Sequence, residues 1–180
     1  MKKKIAILGS TGSIGKCLID IIKKDKKNFE IILLSADENY KELLKQAKFF
    51  KVKNLIITNM KSFYKIKKDN YSKNVKIYNN FDKLEKIFRK KIDYTMSCIS
   101  GIQGLKPTIE IIKHTQEIAI ANKEAIICGW DIIEKNLDKY KTKFIPVDSE
   151  HFSIWYALKN IEKNLIEKIY LTASGGPFLD

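Results

Sequence analysis

Residues 5–22 read Ile5-Ala-Ile-Leu-Gly9-Ser-Thr-Gly12-Ser-Ile-Gly15-Lys-Cys-Leu-Ile-Asp-Ile-Ile22 and contain the strongest indication of the fold class. The first four residues form an apolar run of strand length, and three glycines at intervals of three follow it. Beyond the glycines, apolar residues recur at i, i+3, i+4, i+7 and i+8, which predicts a helix with one apolar face. That face is predicted to consist of Ile14, Cys17, Leu18, Ile21 and Ile22.

The same alternation of strand and helix continues along the chain. Further strands are predicted at Ile31–Leu34, Leu55–Thr58, Val75–Tyr78, Tyr94–Ile99 and Ile118–Ala121. Helices are predicted around Leu43–Phe50, around Leu84–Phe88 and from near Pro107, a residue tolerated in a first turn. Alternating elements of this kind favour an α/β fold, a Rossmann-like doubly wound parallel sheet with right-handed crossovers. The Lys-, Asn- and Tyr-rich stretch Phe63–Lys76 is interpreted as an exposed connection.

The character of the chain changes after Pro146. We place the cofactor-binding domain at residues 1–147 and the beginning of an α+β catalytic, metal-binding domain at 148–180. The second part is predicted to hold a helix near Ser153–Leu158 and a strand at Ile169–Thr172. The sequence stops soon after a Gly-Gly-Pro turn, which leaves that strand edge uncovered, so we interpret the chain as cut short.

The glycine motif predicts a dinucleotide site. Gly9 permits the tight turn, Gly12 lets the backbone approach a pyrophosphate, and Gly15 lets helix and strand pack closely. The helix N-terminus offers free N–H groups and partial positive charge to phosphates, and Thr11 and Ser13 add hydroxyl donors. The G-x-x-G-x-x-G spacing is one found in several NADP-linked reductases. The alternative is a glycine turn needed only for packing.

Asp37, Glu38 and Asn39 follow the second strand, about twenty residues after the glycines. An acidic residue at this position bonds the adenosine ribose 2′-OH and repels a 2′-phosphate, so Asp37 and Glu38 locally favour NAD. The alternative is a solvated loop in which Asn39 or Asp37 caps the next helix.

Two polar clusters predict chemistry in the later part of the chain. Asn122-Lys123-Glu124 places an amide, an ammonium and a carboxylate side by side, and Asp148-Ser149-Glu150-His151 spaces two carboxylates around a hydroxyl. Oxygen ligands without Cys or crowded His suit a hard cation such as Mg²⁺ or Mn²⁺. The alternatives are that Asn122 and Glu124 cap a helix and that Asp-x-Glu is a polar turn. His151 is interpreted as structural, and His114 as a solvated last-turn residue.

Composition narrows the class of protein. The formal net charge of +13 at pH 7 invites a nucleic-acid partner, but Arg89 is the only arginine and the lysines are scattered. We therefore expect solvated basic faces and no nucleic-acid partner, with an RNA-binding protein as a third alternative. Cys17, Cys98 and Cys128 are odd in number and lie in apolar sequence, which predicts reduced, packed thiols in a cytoplasmic protein. No apolar run is long enough to cross a membrane.

Four motifs together carry a family resemblance. They are Gly9-Ser-Thr-Gly-Ser-Ile-Gly15, Ala121-Asn-Lys-Glu124, Pro146-Val-Asp-Ser-Glu-His151 and Ser174-Gly-Gly-Pro-Phe178. In this order and spacing they resemble the 1-deoxy-D-xylulose 5-phosphate reductoisomerases of non-mevalonate isoprenoid synthesis. The resemblance spans the chain and covers about the N-terminal half of such an enzyme. It implies an NADPH- and divalent-metal-dependent rearrangement of the sugar phosphate, followed by reduction to 2-C-methyl-D-erythritol 4-phosphate.

The resemblance also implies roles for individual residues. Pyrophosphate would be held by Thr11, Gly12, Ser13 and Ile14, and the nicotinamide side would be lined by Asn122 and Glu124. Substrate would contact Lys123, Ser149, Glu150 and Ser174, and the metal ion would be bound by Asp148 and Glu150. Lys123, Asp148 and Glu150 are the predicted catalytic residues, because a metal ion and an ammonium both stabilise developing negative charge. Mg²⁺ or Mn²⁺ is expected, with Co²⁺ as a further candidate, and a homodimer when the protein is full length.

Two departures from the family pattern limit these expectations. Asp37-Glu38-Asn39 stands where the family often carries Gly-Lys-Asn or a similar triplet, although Lys41 could compensate; NADPH remains the predicted cofactor. The family's third metal carboxylate lies beyond Asp180, so we expect this chain alone to bind nucleotide without turnover. The remaining alternatives are a non-catalytic nucleotide-binding module and another NAD(P)-linked reductase, such as a semialdehyde dehydrogenase. A semialdehyde dehydrogenase needs a nucleophilic Cys, and Cys98 and Cys128 lie beside apolar residues.

Overall fold

A computed structural model describes residues 1–68, 74–162 and 165–170. Its strands are β1 Lys3–Leu8, β2 Phe29–Ala36, β3 Asn54–Ile57, β4 Lys76–Tyr78, β5 Ile92–Ser97, β6 Thr115–Ile120 and β7 Lys143–Pro146. Its helices are α1 Ser13–Lys24, α2 Tyr40–Phe50, α3 Met60–Lys68, α4 Leu84–Ile87, α5 Leu105–Ile112, α6 Lys123–Tyr140 and α7 Ser149–Leu158, with a 3₁₀ turn at Ile102–Gly104. This alternation confirms the α/β class that the sequence predicts.

The strands form one sheet in the order β4-β3-β2-β1-β5-β6-β7. The pairs β1–β2, β1–β5, β2–β3, β3–β4 and β5–β6 are all parallel. The chain moves outward from β1 to one edge, then returns to the other side of β1 with β5. That reversal is the topological switch point of a doubly wound sheet, where ligands bind beyond the carboxyl ends of the strands.

The sheet is buried on both faces. Ala6, Ile7 and Leu8 are each fully buried, as are Leu33 and Leu34 in the neighbouring strand. Because successive side chains of a strand point to opposite faces, unbroken burial means that helices cover both sides. This explains why the strands appear in the sequence as continuous apolar runs.

The predicted buried face of α1 is confirmed at Ile22 and wrong at Ile14, Cys17 and Ile21, which are exposed. The structure buries Gly15, Ile19 and Ile22, whereas Ile14 and Ile21 are 41% and 56% exposed. The reason is Gly15, which must face the glycine turn because a Cβ there would lie 2.4 Å from the Gly9 carbonyl oxygen. The apolar periodicity does not include glycine, so the predicted buried face of α1 is rotated about the helix axis from the observed one.

Two further predicted elements are corrected. The stretch from Phe63 begins inside α3, where Phe63 and Ile66 are buried, so it is not wholly an exposed connection. The many lysines made the apolar spacing of this short helix hard to recognise in the sequence. Residues 69–73 lie outside the described residues. The strand predicted at Ile169–Thr172 is absent at residues 169 and 170, and its second half lies outside the described part of the chain.

Two further corrections concern His114 and the cysteines. His114 is buried beside Phe88, at 5.4 Å between ring centroids, rather than solvated. Of the three free cysteines, Cys98 is buried, but Cys17 and Cys128 are exposed rather than packed. Both exposed thiols lie on helices, in α1 and α6, outside the buried faces of those helices.

The chain divides into two compact units, Met1–Ile145 and Pro146–Asp180. The boundary predicted after residue 147 stays a prediction. Within the described residues, no helix combines the length and the apolar character needed to cross a membrane.

Candidate functional site

A cavity of about 520 Å³ lies at the switch point of the sheet. Gly9, Asp37, Thr58 and Cys98 line it, and each follows the last residue of a strand: β1, β2, β3 and β5. The other described lining residues are Thr11, Gly12, Ser35, Ala36, Phe81, Ile99, Ser100, Gln103 and Pro107. Its volume falls in the range of small-molecule sites, and its position is that of ligand sites in doubly wound sheets.

Gly9 shapes the turn at the floor of this cavity. Its φ of +83° lies in the left-handed region, and an added Cβ would lie 2.6 Å from the Cys98 carbonyl oxygen. The Gly9 N–H donates to Ser35 Oγ at 2.9 Å, and the Ser10 N–H donates to the Ser35 carbonyl at 2.8 Å. The turn is therefore fixed by its neighbouring strands, and glycine is required at its first position.

The N-terminus of α1 is left open toward an anion. Gly12 is its N-cap, without a side-chain cap, and the first turn of the helix contains no acidic residue. A Cβ at Gly12 would meet the Gly9 carbonyl oxygen at 3.4 Å, which is ordinary contact, so packing does not require glycine there. Unpaired N–H groups and the helix dipole make such an end suitable for phosphate.

Two residues that support the turn were missed by the sequence analysis. Besides Ser35, the buried Gln46 of α2 donates through Nε2 to the Ser10 carbonyl at 3.0 Å. The sequence indicated a role for Ser35 only weakly, as a polar residue inside an apolar strand. It did not indicate a role for Gln46, because a polar residue in an amphipathic helix is normally solvated.

The acidic segment after β2 lies at the side of the cavity. Asp37 lines the cavity, and its Oδ1 accepts a hydrogen bond from Thr58 Oγ1 at 2.7 Å. Glu38 Oε1 accepts from Asn59 Nδ2 at 3.3 Å, and Asn39 caps α2 by accepting from the Glu42 N–H. The capping alternative thus holds for Asn39, while Asp37 faces the site.

Cys98 is a protonated thiol at the cavity wall. Its Sγ donates to the Leu8 carbonyl at 3.0 Å, and burial raises the pKa of this thiol to about 12. Because the thiolate is the nucleophilic form, Cys98 is unsuited to covalent catalysis.

Asn122 joins α6 to the loop beside the cavity. It is 2% exposed; its Oδ1 accepts from the Ala125 N–H at 2.8 Å, and its Nδ2 donates to the carbonyls of Ile99 and Gly101. A Cβ at Gly104 would lie 2.4 Å from that Nδ2, so glycine makes room for the amide. The next two residues, Lys123 and Glu124, are exposed on the first turn of α6.

The second unit holds the predicted metal carboxylates. Asp148 is the N-cap of α7: its Oδ1 accepts from the His151 N–H at 3.1 Å and lies 2.5 Å from His151 Nδ1. Ser149 Oγ donates to Glu150 Oε2 at 3.0 Å. Hard oxygen donors of this kind fit a divalent cation such as Mg²⁺. Across the described residues, no group of three or more Cys, His, Asp or Glu that could hold a metal ion is found.

The predicted site residues fall into three groups in the structure. Gly9, Thr11, Gly12 and Asp37 line one cavity. Asn122, Lys123 and Glu124 lie at the start of α6, and Asp148, Ser149 and Glu150 are neighbours at the start of α7. The remaining predicted cofactor residues, which are not among the described lining residues, are Ser13, Ile14, Gly15, Glu38 and Asn39. Ser174 lies outside the described residues.

A parallel sheet with an open glycine turn at its switch point defines a Rossmann-like, dinucleotide-binding class of protein. Comparison with known proteins identifies the family. The model of the 1-deoxy-D-xylulose 5-phosphate reductoisomerase family matches residues 5–129, and that of its C-terminal domain matches residues 144–180. The chain belongs to the 1-deoxy-D-xylulose 5-phosphate reductoisomerase family.

Similar proteins carry the same name. The chain is 62% identical over 178 residues to the 1-deoxy-D-xylulose 5-phosphate reductoisomerase of Pelagibacter ubique strain HTCC1062, covering 98% of this chain and 46% of the relative. It is 40% identical over 179 residues to the enzyme of the same name from Wolbachia pipientis subsp. Culex pipiens strain wPip, covering 99% and 46%. The chain therefore spans about half the length of these relatives.

Solved structures show the same similarity. A reductoisomerase from Zymomonas mobilis in complex with NADPH matches with a TM-score of 0.75 and 30% identity, covering 83% of this chain and 40% of that one. A DOX-P reductoisomerase in complex with NADPH, fosmidomycin and magnesium matches with a TM-score of 0.78 and 25% identity, covering 87% and 40%.

Proposed function

We propose that this chain provides the cofactor domain and two metal carboxylates of an enzyme that converts 1-deoxy-D-xylulose 5-phosphate to 2-C-methyl-D-erythritol 4-phosphate. The observation that carries the proposal is the cavity at the open glycine turn, in a chain whose solved relatives contain NADPH. The proposed cofactor is a reduced nicotinamide dinucleotide, NADPH as in the solved relatives, and the proposed metal is a divalent ion, Mg²⁺ as in the solved relative or Mn²⁺. When bound, the dinucleotide supplies a hydride and the metal ion supplies Lewis acidity.

The cofactor pyrophosphate is assigned to Thr11, Gly12, Ser13 and Ile14. Support comes from the N-terminus of α1, which has neither a side-chain cap nor an acidic residue in its first turn. The backbone N–H groups there can donate to phosphate oxygens, while Gly9 and Gly15 give the turn its shape. Asp37 is assigned to the adenosine ribose, because it lines the same cavity.

The nicotinamide side is assigned to the start of α6. Asn122 acts as a positioning residue, since its amide is occupied by contacts with the protein and fixes the loop at Ile99 and Gly101. In this assignment Glu124 would face the cofactor and Lys123 would contact the substrate. The Lys123 ammonium would stabilise negative charge that develops on a substrate oxygen.

The metal ion is assigned to Asp148 and Glu150, and the substrate to Lys123, Ser149, Glu150 and Ser174. The support is chemical: two carboxylates flanking a hydroxyl at a helix start provide hard oxygen donors. The substrate is a small sugar phosphate, and the full-length protein is proposed to be a cytoplasmic homodimer without a nucleic-acid partner. The three free cysteines support the reducing compartment.

The alternative of a semialdehyde dehydrogenase is disfavoured by Cys98. Its thiol donates to a buried carbonyl, and its pKa is raised to about 12, so it stays protonated at neutral pH. A non-catalytic nucleotide-binding module would explain the cavity but gives no reason for Lys123, Asp148 and Glu150.

A chimeric enzyme tests the proposal. Residues 1–180 would be joined to the part of the Pelagibacter ubique relative that follows its matched segment, and substrate-dependent oxidation of the dinucleotide would be followed at 340 nm. We expect turnover from the chimera and none from the 180-residue chain alone, whose two carboxylates hold a hard cation weakly.

Variants of the chimera assign the roles. Lys123→Ala, Asp148→Asn and Glu150→Gln should each lower kcat/KM by about 100-fold or more, because each removes charge that acts in the transition state. Glu134→Gln, an exposed position of α6, is the control and should leave kcat/KM unchanged. A folded chimera without turnover, or full activity in Asp148→Asn and Glu150→Gln, contradicts the proposal.

A further inference from the structure

The wall of the cavity at the end of β2 is acidic. Among the described residues that line the cavity, Asp37 is the only carboxylate, and none is Lys or Arg. The cavity therefore offers a hydroxyl-binding group at this end and no cation for a phosphate. The 2′-position of the adenosine ribose lies at the end of the second strand in doubly wound dinucleotide sites.

Asp37 is held in place for such a contact. Its Oδ1 accepts from Thr58 Oγ1 at 2.7 Å, and its backbone carbonyl accepts from the Asn59 N–H at 3.4 Å. Both donors follow β3, the strand next to β2, so the carboxylate orientation is set by the sheet. The second oxygen, Oδ2, remains able to accept from a ribose hydroxyl.

The residues that follow Asp37 in sequence do not offset the negative charge at the end of β2. Glu38 adds a second carboxylate, which is fixed by Asn59, while its backbone carbonyl accepts from Ser62 Oγ at 2.9 Å. Lys41, the cation closest in sequence, is exposed on the first turn of α2 and is not among the described lining residues. The charged side chains nearest to the end of β2 are thus the carboxylates of Asp37 and Glu38.

We propose that Asp37 makes the cofactor site bind NADH at least as tightly as NADPH. The inference rests on the proposed cofactor site and concerns which dinucleotide that site selects. A ribose diol donates hydrogen bonds to the carboxylate, whereas a 2′-phosphate brings about two negative charges next to it. At separations of a few ångströms near a surface, that repulsion corresponds to about tenfold in affinity or more.

Binding measurements on the 180-residue chain test this directly. Dissociation constants for NADH and NADPH would be measured by isothermal titration calorimetry in phosphate-free buffer. The same measurement with 5′-AMP and 2′,5′-ADP isolates the ribose from the nicotinamide end. We expect NADH to bind as tightly as NADPH or more tightly, and 5′-AMP to bind more tightly than 2′,5′-ADP.

An isosteric variant assigns the preference to one side chain. Asp37→Asn keeps an acceptor for Thr58 and removes the charge, so the affinity for NADPH should rise about tenfold relative to that for NADH. Asp131→Asn, the same change on the exposed surface of α6, is the control and should not alter the ratio.

The possible results separate the inference from the proposed function. Tighter binding of NADPH than of NADH by the unmodified chain overturns the inference and leaves the cofactor site in place. An unchanged ratio in Asp37→Asn likewise overturns the role of Asp37. If neither dinucleotide binds a chain that circular dichroism shows to be folded, the cofactor site itself is wrong, and the proposed function fails with it.

Discussion

The glycine turn after β1 and the carboxylate segment before α7 differ in how their geometry is fixed. The turn is held by contacts distant in sequence: Gly9 and Ser10 bond to Ser35, and Gln46 bonds to Ser10. The carboxylate segment contains bonds between close neighbours in sequence, from His151 to Asp148 and from Ser149 to Glu150. α7, which the segment begins, buries none of its described side chains.

The helix starts show the same difference. Asn39, Asn122 and Asp148 cap α2, α6 and α7 with their side chains, whereas α1 begins at Gly12 without a side-chain cap. A side-chain cap accepts from one of the N–H groups in the first turn, whereas a start without such a cap leaves that group able to donate to a ligand. The packing of the sheet and of α2 thus completes the glycine turn and leaves the start of α1 open, whereas Asp148 has a capping role at the start of α7.

The largest effect is expected at Gly15. In Gly15→Ala, the Cβ would lie 2.4 Å from the Gly9 carbonyl oxygen and 2.6 Å from Ser10 Cα, so α1 or the turn must move. We expect a loss of about 3 kcal/mol in the free energy of unfolding, measured by urea denaturation, together with loss of dinucleotide binding. Gly12→Ala is the matched control: it should remain folded and lose affinity alone. Equal stability of the two variants would contradict the packing argument.

A smaller loss is expected at Asn122. Asn122→Ala removes the cap of α6 and leaves the carbonyls of Ile99 and Gly101 without their donor. The free energy of unfolding should fall by about 2 kcal/mol. Asn136→Ala, which removes an exposed bond to the Ile132 carbonyl in the same helix, should change it by less than about 0.5 kcal/mol. Similar losses in the two variants would show that Asn122 has no special role.

The cap of α7 should matter less and only locally. Asp148→Ala should weaken the first turn of this helix by about 1 kcal/mol, seen as faster amide hydrogen exchange at residues 151–153. Asp148→Asn retains a capping oxygen, so its exchange should stay close to that of the unmodified chain. Protection that is unaffected by Asp148→Ala would mean that the segment is fixed by other contacts.

The smallest effect is a pH dependence from His114. Burial, with Lys113, lowers the pKa of this histidine below its ordinary 6.5, and Glu85 opposes the shift. The unfolded chain then binds the proton more tightly, so stability is full above about pH 6.5 and falls as the pH drops toward the lower folded-state pKa. The pH dependence of urea midpoints should be shallower in His114→Gln. An identical pH dependence in that variant would remove His114 as the cause.

The sequence predicted the fold well because the strands are continuous apolar runs and the first turn carries three spaced glycines. It could not predict the side of α1 that faces the sheet, since Gly15 makes that contact without an apolar side chain. It also missed Ser35 and Gln46, whose roles depend on neighbours 25 to 36 residues away. The family was recognised from four motifs, whereas the roles of Lys123, Asp148 and Glu150 remain predictions.

If the open glycine turn binds a dinucleotide, NADH titrated into the ¹⁵N-labelled chain should shift the amide resonances of that turn. We predict saturable shifts at the Gly12–Gly15 amides and at Asp37. These shifts should be lost in Gly12→Ala, whose other amide resonances should remain those of the folded chain. Absence of binding, or shifts confined to residues outside the cavity at the switch point, would show that the turn is not a dinucleotide site.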